Sequence, residues 1–381
     1  MILIHFCPHD GGPMYEWHWA HYLGELQSIG HKIIDCNPNN VLKRKGSPAE
    51  NADILKVEVV KLLKNIKKNE SILFFGAQAR DDNLDPAIIL WLKEKGIPCA
   101  NICVDGFFEH LHLKKIGKYF DINWVTHYNA LSINRYGCKV LYMPMAANPL
   151  FFARKNSFKK EAAIAFVGSK YGARPLYITA LNKEGLKNKV RGSCWLGNCT
   201  NSRNLNIRST FDKLSLILNF LQYRPGHKII LSAIKKRFLR YKATKEDFTG
   251  IDLGGPISLE KMVEFHGSII MSLGISEIYN TYVLKKPLIQ YHLRDFECPM
   301  IGCAHLVRRC RELEECFEEN KNILFYDSIE ECVDKAKYYL SDNNIIETKL
   351  IGMKARELSI NEHTWTKRFK KLCSFLGLKW K

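Results

Sequence analysis

The chain of 381 residues is short of acid. It has 39 Asp and Glu against 57 Lys and Arg, a net charge of +18. That excess attracts polyanions such as nucleic acid, anionic lipid or phosphate-bearing substrates. The chain carries no paired Cys/His finger and no aromatic-basic strand motif, so nucleic acid is not the expected partner. It has no run of about 18 apolar residues, which excludes a membrane-spanning helix. The opening Met1-Ile2-Leu3-Ile4-His5-Phe6 has no basic region and no small-residue cleavage site, so a cytoplasmic rather than secreted protein is expected. Thirteen cysteines are present, but not at metal-site spacing. Cys99 and Cys103 have no second pair, Cys194 and Cys199 have no nearby His, and Cys298 and Cys303 flank a turn. No metal is expected, and reduced, mostly buried thiols fit a reducing compartment.

What is present is apolar content of 46% and aromatic content of 11%, enough for two domains of ordinary size. Short apolar runs alternate with helical patterns through the first half. Strands are expected at Ile2–Phe6, Lys32–Cys36, Ser71–Gly76, Ile97–Asp105, Trp124–Thr126 and Lys139–Met143. Helices are expected from about Tyr15 to Ser28, Asn51 to Lys67 and Ile88 to Lys95. Such alternation means a parallel α/β sheet covered on both faces. Pro144, Pro149 and the polar Arg154-Lys155-Asn156-Ser157 interrupt it and suit a linker. The same plan restarts at Ile164-Ala165-Phe166-Val167-Gly168. A helical tail from about Ile345 to Leu378 carries Trp365, Phe369, Leu372 and Phe375 at core-stripe spacing.

In open parallel sheets, ligands bind beyond the carboxyl ends of strands. Three loops there carry chemistry. His9-Asp10-Gly11-Gly12 offers two groups able to act as a base and two glycines that let a ligand approach, although a tight turn would look the same. Gly168-Ser169-Lys170-Tyr171-Gly172-Ala173-Arg174 can hold phosphate at a helix mouth, but lacks the Gly-Lys-Ser/Thr ending of a Walker loop. Arg294-Asp295-Phe296-Glu297-Cys298-Pro299-Met300-Ile301-Gly302 follows an apolar run, Pro287–Leu293, expected as a strand. Its Arg can offset a diphosphate and its Glu can accept from ribose hydroxyls; a surface ion pair beside a turn is the alternative. Lys228 to Lys245 interleaves Lys235, Lys236, Arg237 and Arg240 with Leu231, Ile234 and Phe238. A basic amphipathic helix at an anionic membrane surface reads this way, and so does an ordinary helix with a solvated face.

The second half resembles the CgeB-type, spore-maturation-protein-like glycosyltransferases of group 1. The resemblance rests on Gly274-Ile275-Ser276-Glu277-Ile278-Tyr279-Asn280, on Leu293-Arg294-Asp295-Phe296-Glu297 through Gly302, and on Phe325-Tyr326-Asp327-Ser328. It also rests on the closing Glu362-His363-Thr364-Trp365-Thr366-Lys367-Arg368-Phe369 and on Phe166–Arg174 upstream. It spans roughly residues 140–375, while residues 1–140 match only in outline.

The resemblance implies a GT-B fold: two Rossmann-like domains facing a central cleft. The implied division is 1–155 for the acceptor, 156–350 for the nucleotide-sugar donor, and 351–381 as a C-terminal helix crossing back to the N-terminal domain. It implies transfer of a sugar, a hexose by expectation, from a nucleotide-diphosphate sugar to a surface glycan or protein. No cofactor or catalytic metal is implied. Donor contacts are expected from Gly168, Ser169, Arg174, Arg294, Asp295, Glu297 and Gly302, with Glu297 at the ribose. The catalytic base is expected among His9, Asp10 and Asp105, all at strand ends. Relatives carry small residues where this chain has Ile301, which either narrows the donor site or packs beneath it. A scaffold of the same shape without catalysis is the alternative. The expected location is cytoplasmic, at the inner face of the membrane if the basic helix docks there.

Overall fold

A computed structural model describes residues 1–7, 13–37, 42, 47–66, 70–104, 112–154, 160–197, 218, 220–221, 224–238 and 248–380. These residues form two compact units: Met1–Phe151 with Glu362–Lys381, and Phe152–Asn361.

The first unit contains β1 (Ile2–Phe6), α1 (Pro13–His18), a π-helical turn (Trp19–Leu23), α2 (Gly24–Ser28), β2 (Lys32–Asp35) and α3 (Pro48–Leu63). It continues with β3 (Ile72–Ala77), α4 (Pro86–Glu94), β4 (Cys99–Cys103), β5 (Ile122–Val125) and β6 (Val140–Tyr142). The strands lie in the order β2-β1-β3-β4-β5-β6, all parallel. Strand periodicity sorts their side chains onto two faces. Ile2, Ile4, Phe6 and Phe74 face one core with Leu55, Ile88 and Leu92 from the helices. Phe75 and Trp124 face the other way, into an aromatic cluster with Tyr22, Trp365 and Phe369. Asp85 caps α4 by accepting from the Ala87 amide at 2.8 Å, and Pro86 starts the helix where a missing N–H costs nothing.

The terminal helix, Trp365–Phe375, completes this unit. The sequence suggested one helix from about Ile345 to Leu378; it breaks at His363-Thr364, where Thr364 Oγ1 accepts from the Lys367 amide at 3.3 Å. The Glu25 carboxylate accepts from the Thr366 amide at 2.7 Å, a negative charge at the positive end of a helix. Arg368 donates to the carbonyls of Pro144 and Met145, and Ala147 N–H to that of His363. The Glu362–Phe369 signature is therefore a set of latches. Trp365, Phe369 and Leu372 are fully buried as expected, but Phe375 is 60% exposed and is not part of the core.

The second unit contains β7 (Glu161–Val167), α5 (Arg174–Lys183), β8 (Asn188–Arg191), α6 (Arg224–Phe238), β9 (Asp252–Gly254), α7 (Leu259–Gly267) and β10 (Ile269–Gly274). It continues with α8 (Arg294–Ile301), β11 (Ala304–Arg308), β12 (Leu324–Tyr326), α9 (Ile329–Leu340) and α10 (Ile345–Glu362). The strand order is β12-β11-β10-β7-β8-β9, again parallel throughout. Its main core joins Phe166, Tyr177, Leu181, Leu273, Leu306 and Tyr326. The expected strand at Pro287–Leu293 does not form. Ile289 makes one antiparallel bridge to Glu277, because β10 already has β7 and β11 on its two edges and can accept no third neighbour.

Both sheets reverse strand order beside their first strand, between β1 and β3 and between β7 and β10. Each reversal point has a non-glycine residue with positive φ in its loop, Gln78 (64°) after β3 and Tyr279 (46°) after β10. Few non-glycine residues adopt that conformation, and ligand sites concentrate at such reversals.

Candidate functional site

In the second unit the carboxyl ends of β10, β11 and β12 open on a cavity of about 230 Å³. Glu277, Arg308 and Asp327 reach it from the three strand ends, Tyr177 from α5, and Lys285 from the loop after β10. The Tyr177 hydroxyl donates to Glu277 Oε1 in a short hydrogen bond. Arg308 Nε lies 3.8 Å from the same oxygen. Glu277 Oε2 and Arg308 Nε are buried and have no hydrogen-bond partner in the protein. Burial first, then Glu277, pushes the Tyr177 hydroxyl far above its usual pKa, so it remains a donor. A buried acceptor and a buried guanidinium N–H left open beside a cavity are suited to a ligand with hydroxyls and negative charge.

The loop after β7 is built to be tight. Gly172 has φ of 61°, and a Cβ there would meet the Tyr279 carbonyl at 2.7 Å. This joins the β7 and β10 loops at the reversal point. A Cβ on Gly192 would meet the Gly168 carbonyl at 2.1 Å. The Gly168 amide donates to Arg191 at 2.8 Å, the Lys170 amide to Ser193 at 2.9 Å, and Trp195 Nε1 to the Gly168 carbonyl at 2.6 Å. Arg174 is buried, stacks 3.9 Å from the Tyr171 ring centroid, and donates to the Ser169 carbonyl at 2.9 Å. Gly168, Ser169 and Arg174, expected as donor contacts, thus brace the loop, and the Gly168 and Lys170 amides are bonded within the protein.

The Arg294–Gly302 segment forms α8 and its C-cap. Asp295 is buried and committed inward: its Oδ1 accepts from His305 Nε2 at 2.9 Å and its Oδ2 from the His292 amide at 2.7 Å. His305 Nδ1 in turn lies 2.7 Å from Ser272 Oγ, its register partner on β10. Burial alone would raise the Asp295 pKa, but the His305 hydrogen bond and charge hold it below the usual range. Asp295 is accordingly an anchor for α8 rather than a donor contact. Glu297 is 4% exposed, and burial pushes its pKa up to about 7 against the pull of Arg294. Burial likewise lowers His292 to about 4 and His266 to about 3, with Arg294 adding to both. Gly302 is the C-cap of α8 at φ 94°, next to the amino end of β11. It sits at the sheet edge opposite the cavity, holds the Lys160 ammonium on its carbonyl, and cannot contact a ligand there.

In the first unit the expected base candidates His9, Asp10 and Asp105 lie outside the described residues. Residues on either side of that first loop in sequence, from β1, α1, the π-helical turn and β2, form a buried chain of titratable groups. Cys7 Sγ lies 3.1 Å from His18 Nε2, His18 Nδ1 bonds the Tyr22 hydroxyl, and that hydroxyl lies 2.8 Å from His5 Nε2. His5 Nδ1 is 4.0 Å from Asp35 Oδ1. The π-helical turn supplies Tyr22, and such turns recur at functional sites. His5 was passed over as one residue of an apolar strand. His18 and Tyr22, four apart on one helical face, were the available signal.

Residues 213–374 match the glycosyl transferase-like family. The matched glycosyltransferase-like region includes Glu277, Arg294, Asp295, Glu297, Arg308 and most of the terminal helix, and it begins beyond Gly168, Ser169 and Arg174. No curated protein matches the chain. Among solved structures, HepE of Anabaena in complex with UDP-glucose is similar, with 8% identity over 99% of each chain and a TM-score of 0.55. Sucrose-phosphate synthase of Thermosynechococcus elongatus gives 11% identity, 98% of each chain and 0.53. A glycosyltransferase of Rickettsia africae gives 13% identity over 98% of this chain and 97% of the other, and 0.52. At such identities the likeness shows the fold: two parallel six-stranded sheets with flanking helices, as in GT-B glycosyltransferases over their full length.

Tyr177, Glu277 and Arg308 were not singled out from sequence. Glu277 is three residues past the end of β10 and Arg308 is the last residue of β11. The rule that ligands gather at strand carboxyl ends would have found both once the strands were located.

Proposed function

We propose that this chain is a nucleotide-sugar-dependent glycosyltransferase of the CgeB-type branch, with its donor bound by the second unit. The observation that carries the proposal is the cavity at the carboxyl ends of β10 to β12, where Glu277 Oε2 and Arg308 Nε are buried without a hydrogen-bond partner. Donor hydroxyls complete Glu277, and Arg308 with Lys285 offsets the diphosphate. Glu297 accepts from the ribose. A uridine diphosphate sugar is the first donor to try, since HepE was solved with one. In the reaction, the acceptor hydroxyl oxygen forms a bond to the anomeric carbon while the bond from that carbon to the phosphate oxygen breaks. The nucleoside diphosphate leaves with the electron pair. The hydroxyl proton passes to a base proposed among His9, Asp10 and Asp105. Fixed cations at the departing diphosphate supply charge stabilisation without a metal, and the acceptor is a surface glycan or protein.

The test is a thermal-shift series with UDP, GDP, CDP, ADP and TDP and their sugars. One nucleotide at about 100 times its Kd should stabilise the fold by roughly 2.7 kcal/mol. Glu277→Gln and Arg308→Gln should each abolish the shift while remaining folded. No shift with any nucleotide, or a shift unchanged in both variants, overturns the assignment.

A further inference from the structure

Helix α6 and the turn after Tyr279 make a surface that lies mostly outside the donor site and meets it at Leu284 and Lys285, which line both. On α6, Lys228, Leu231, Ile234, Lys235 and Phe238 recur at spacings of three and four, one stripe of the helix. Leu231 is 55% exposed, Ile234 48% and Phe238 82%. With Leu284, Lys285 and Lys286 they line an open groove of about 580 Å³. Neither α6 nor residues 279–286 contain Asp or Glu. The lysines are held in place: Lys228 Nζ donates to the Lys286 carbonyl at 3.2 Å, Lys235 Nζ to the Val283 carbonyl at 2.7 Å, and Lys236 Nζ to Asn280 Oδ1 at 2.9 Å. None of these lysines pairs with a carboxylate among the described residues.

We infer that this face docks on an anionic phospholipid surface, with Leu231, Ile234 and Phe238 entering the headgroup–acyl boundary and the ring of lysines meeting the lipid phosphates. The combination selects this occupant. Ammonium groups uncompensated by acid are complementary to a negatively charged plane. Three large apolar side chains standing out among them gain nothing from a polynucleotide backbone but gain burial in lipid. A shallow, open groove presents no shaped slot for a single partner helix, and a bilayer demands none. No helix among the described residues is long and apolar enough to cross a membrane, so the contact is peripheral.

Co-sedimentation of the full chain with phosphatidylcholine vesicles, with and without phosphatidylglycerol, tests the inference. Binding is expected only with the anionic lipid and should weaken as salt rises. Lys235→Gln and Lys236→Gln should each weaken it by about fivefold. Phe238→Ser with Leu231→Ser should weaken it by about tenfold or more while leaving the salt dependence in place. Thermal melts of all variants should match the parent, because these side chains are largely in solvent. Sedimentation unaffected by these variants, equal binding to neutral vesicles, or no binding to either overturns the inference. So does binding to a DNA oligonucleotide that competes with vesicles and survives the Phe238→Ser change.

Discussion

Glu297→Gln is expected to make the ligand-free protein more stable at alkaline pH while weakening its hold on nucleotide. Burial raises the carboxyl from 4.5 to about 7, with Arg294 pulling it down and Asp295 pushing it up. A folded-state pKa raised above the unfolded one contributes stability that is complete below pH 4.5 and is lost as pH rises through 7. At about 1.36 kcal/mol per pKa unit, ionised Glu297 costs the fold about 3 kcal/mol well above pH 7. Glutamine has nearly the same shape and no charge to lose. The variant should therefore gain up to about 3 kcal/mol near pH 8.5, roughly 6–12 °C for a unit of this size, and close to nothing near pH 4.5. Glu25 in the first unit is also raised to about 7 by burial, so the difference between variant and parent is the readout, not the parent's own pH curve. Nucleotide affinity should fall tenfold or more, because carboxylate bonds to two ribose hydroxyls are worth roughly 1.5–3 kcal/mol each. Urea unfolding at both pH values and calorimetric titration with the nucleotide measure the two effects. A variant less stable at every pH would show the carboxylate to be structural. Unchanged affinity would remove Glu297 from the donor site.

Tyr177→Phe removes the donor to buried Glu277 and should cost about 1–3 kcal/mol in urea unfolding together with most nucleotide affinity; a variant with parental affinity would separate that cavity from the donor. Gly172→Ala places a Cβ 2.7 Å from the Tyr279 carbonyl at φ 61°, so a loss of roughly 1–3 kcal/mol is expected, and parental stability would mean the two loops are free to part. Trp365→Ala should cost about 3–5 kcal/mol, whereas Phe375→Ala, at 60% exposure, should stay within about 0.5 kcal/mol by the same denaturation assay. Turnover in chelator-treated protein should fall in His9→Ala or Asp10→Ala; parental rates in both would exclude that loop as the base, and rescue of chelated parent by magnesium or manganese would refute a metal-free reaction.

Local pattern was enough for the strands of the first sheet and for β7, but it also suggested a strand at Pro287–Leu293 that does not form. Runs such as Ile2–Phe6 and Ile164–Val167 are mostly apolar on both faces, and their alternation with helical patterns marked them as buried parallel strands. The acid deficit was a matter of composition, and the basic amphipathic stripe of α6 and the Trp365–Leu372 core stripe were equally legible, because each stripe depends on spacing along one helix. The Arg294–Gly302 cluster was legible as chemistry but not as geometry. Arg294, Asp295, Glu297 and Gly302 lie within nine consecutive residues, yet the helix turns them in different directions. Asp295 points to His305, Glu297 is buried beside Arg294, and Gly302 ends at the opposite sheet edge. The partnership of Tyr177, Glu277 and Arg308 joins residues 100 apart in sequence for its hydrogen bond. It exists only because parallel strands bring their carboxyl ends to one edge, and no spacing in the chain encodes which side chains meet there. Sequence determined which segments fold and what chemistry they carry; the register and order of the strands decided which of those groups share a cavity.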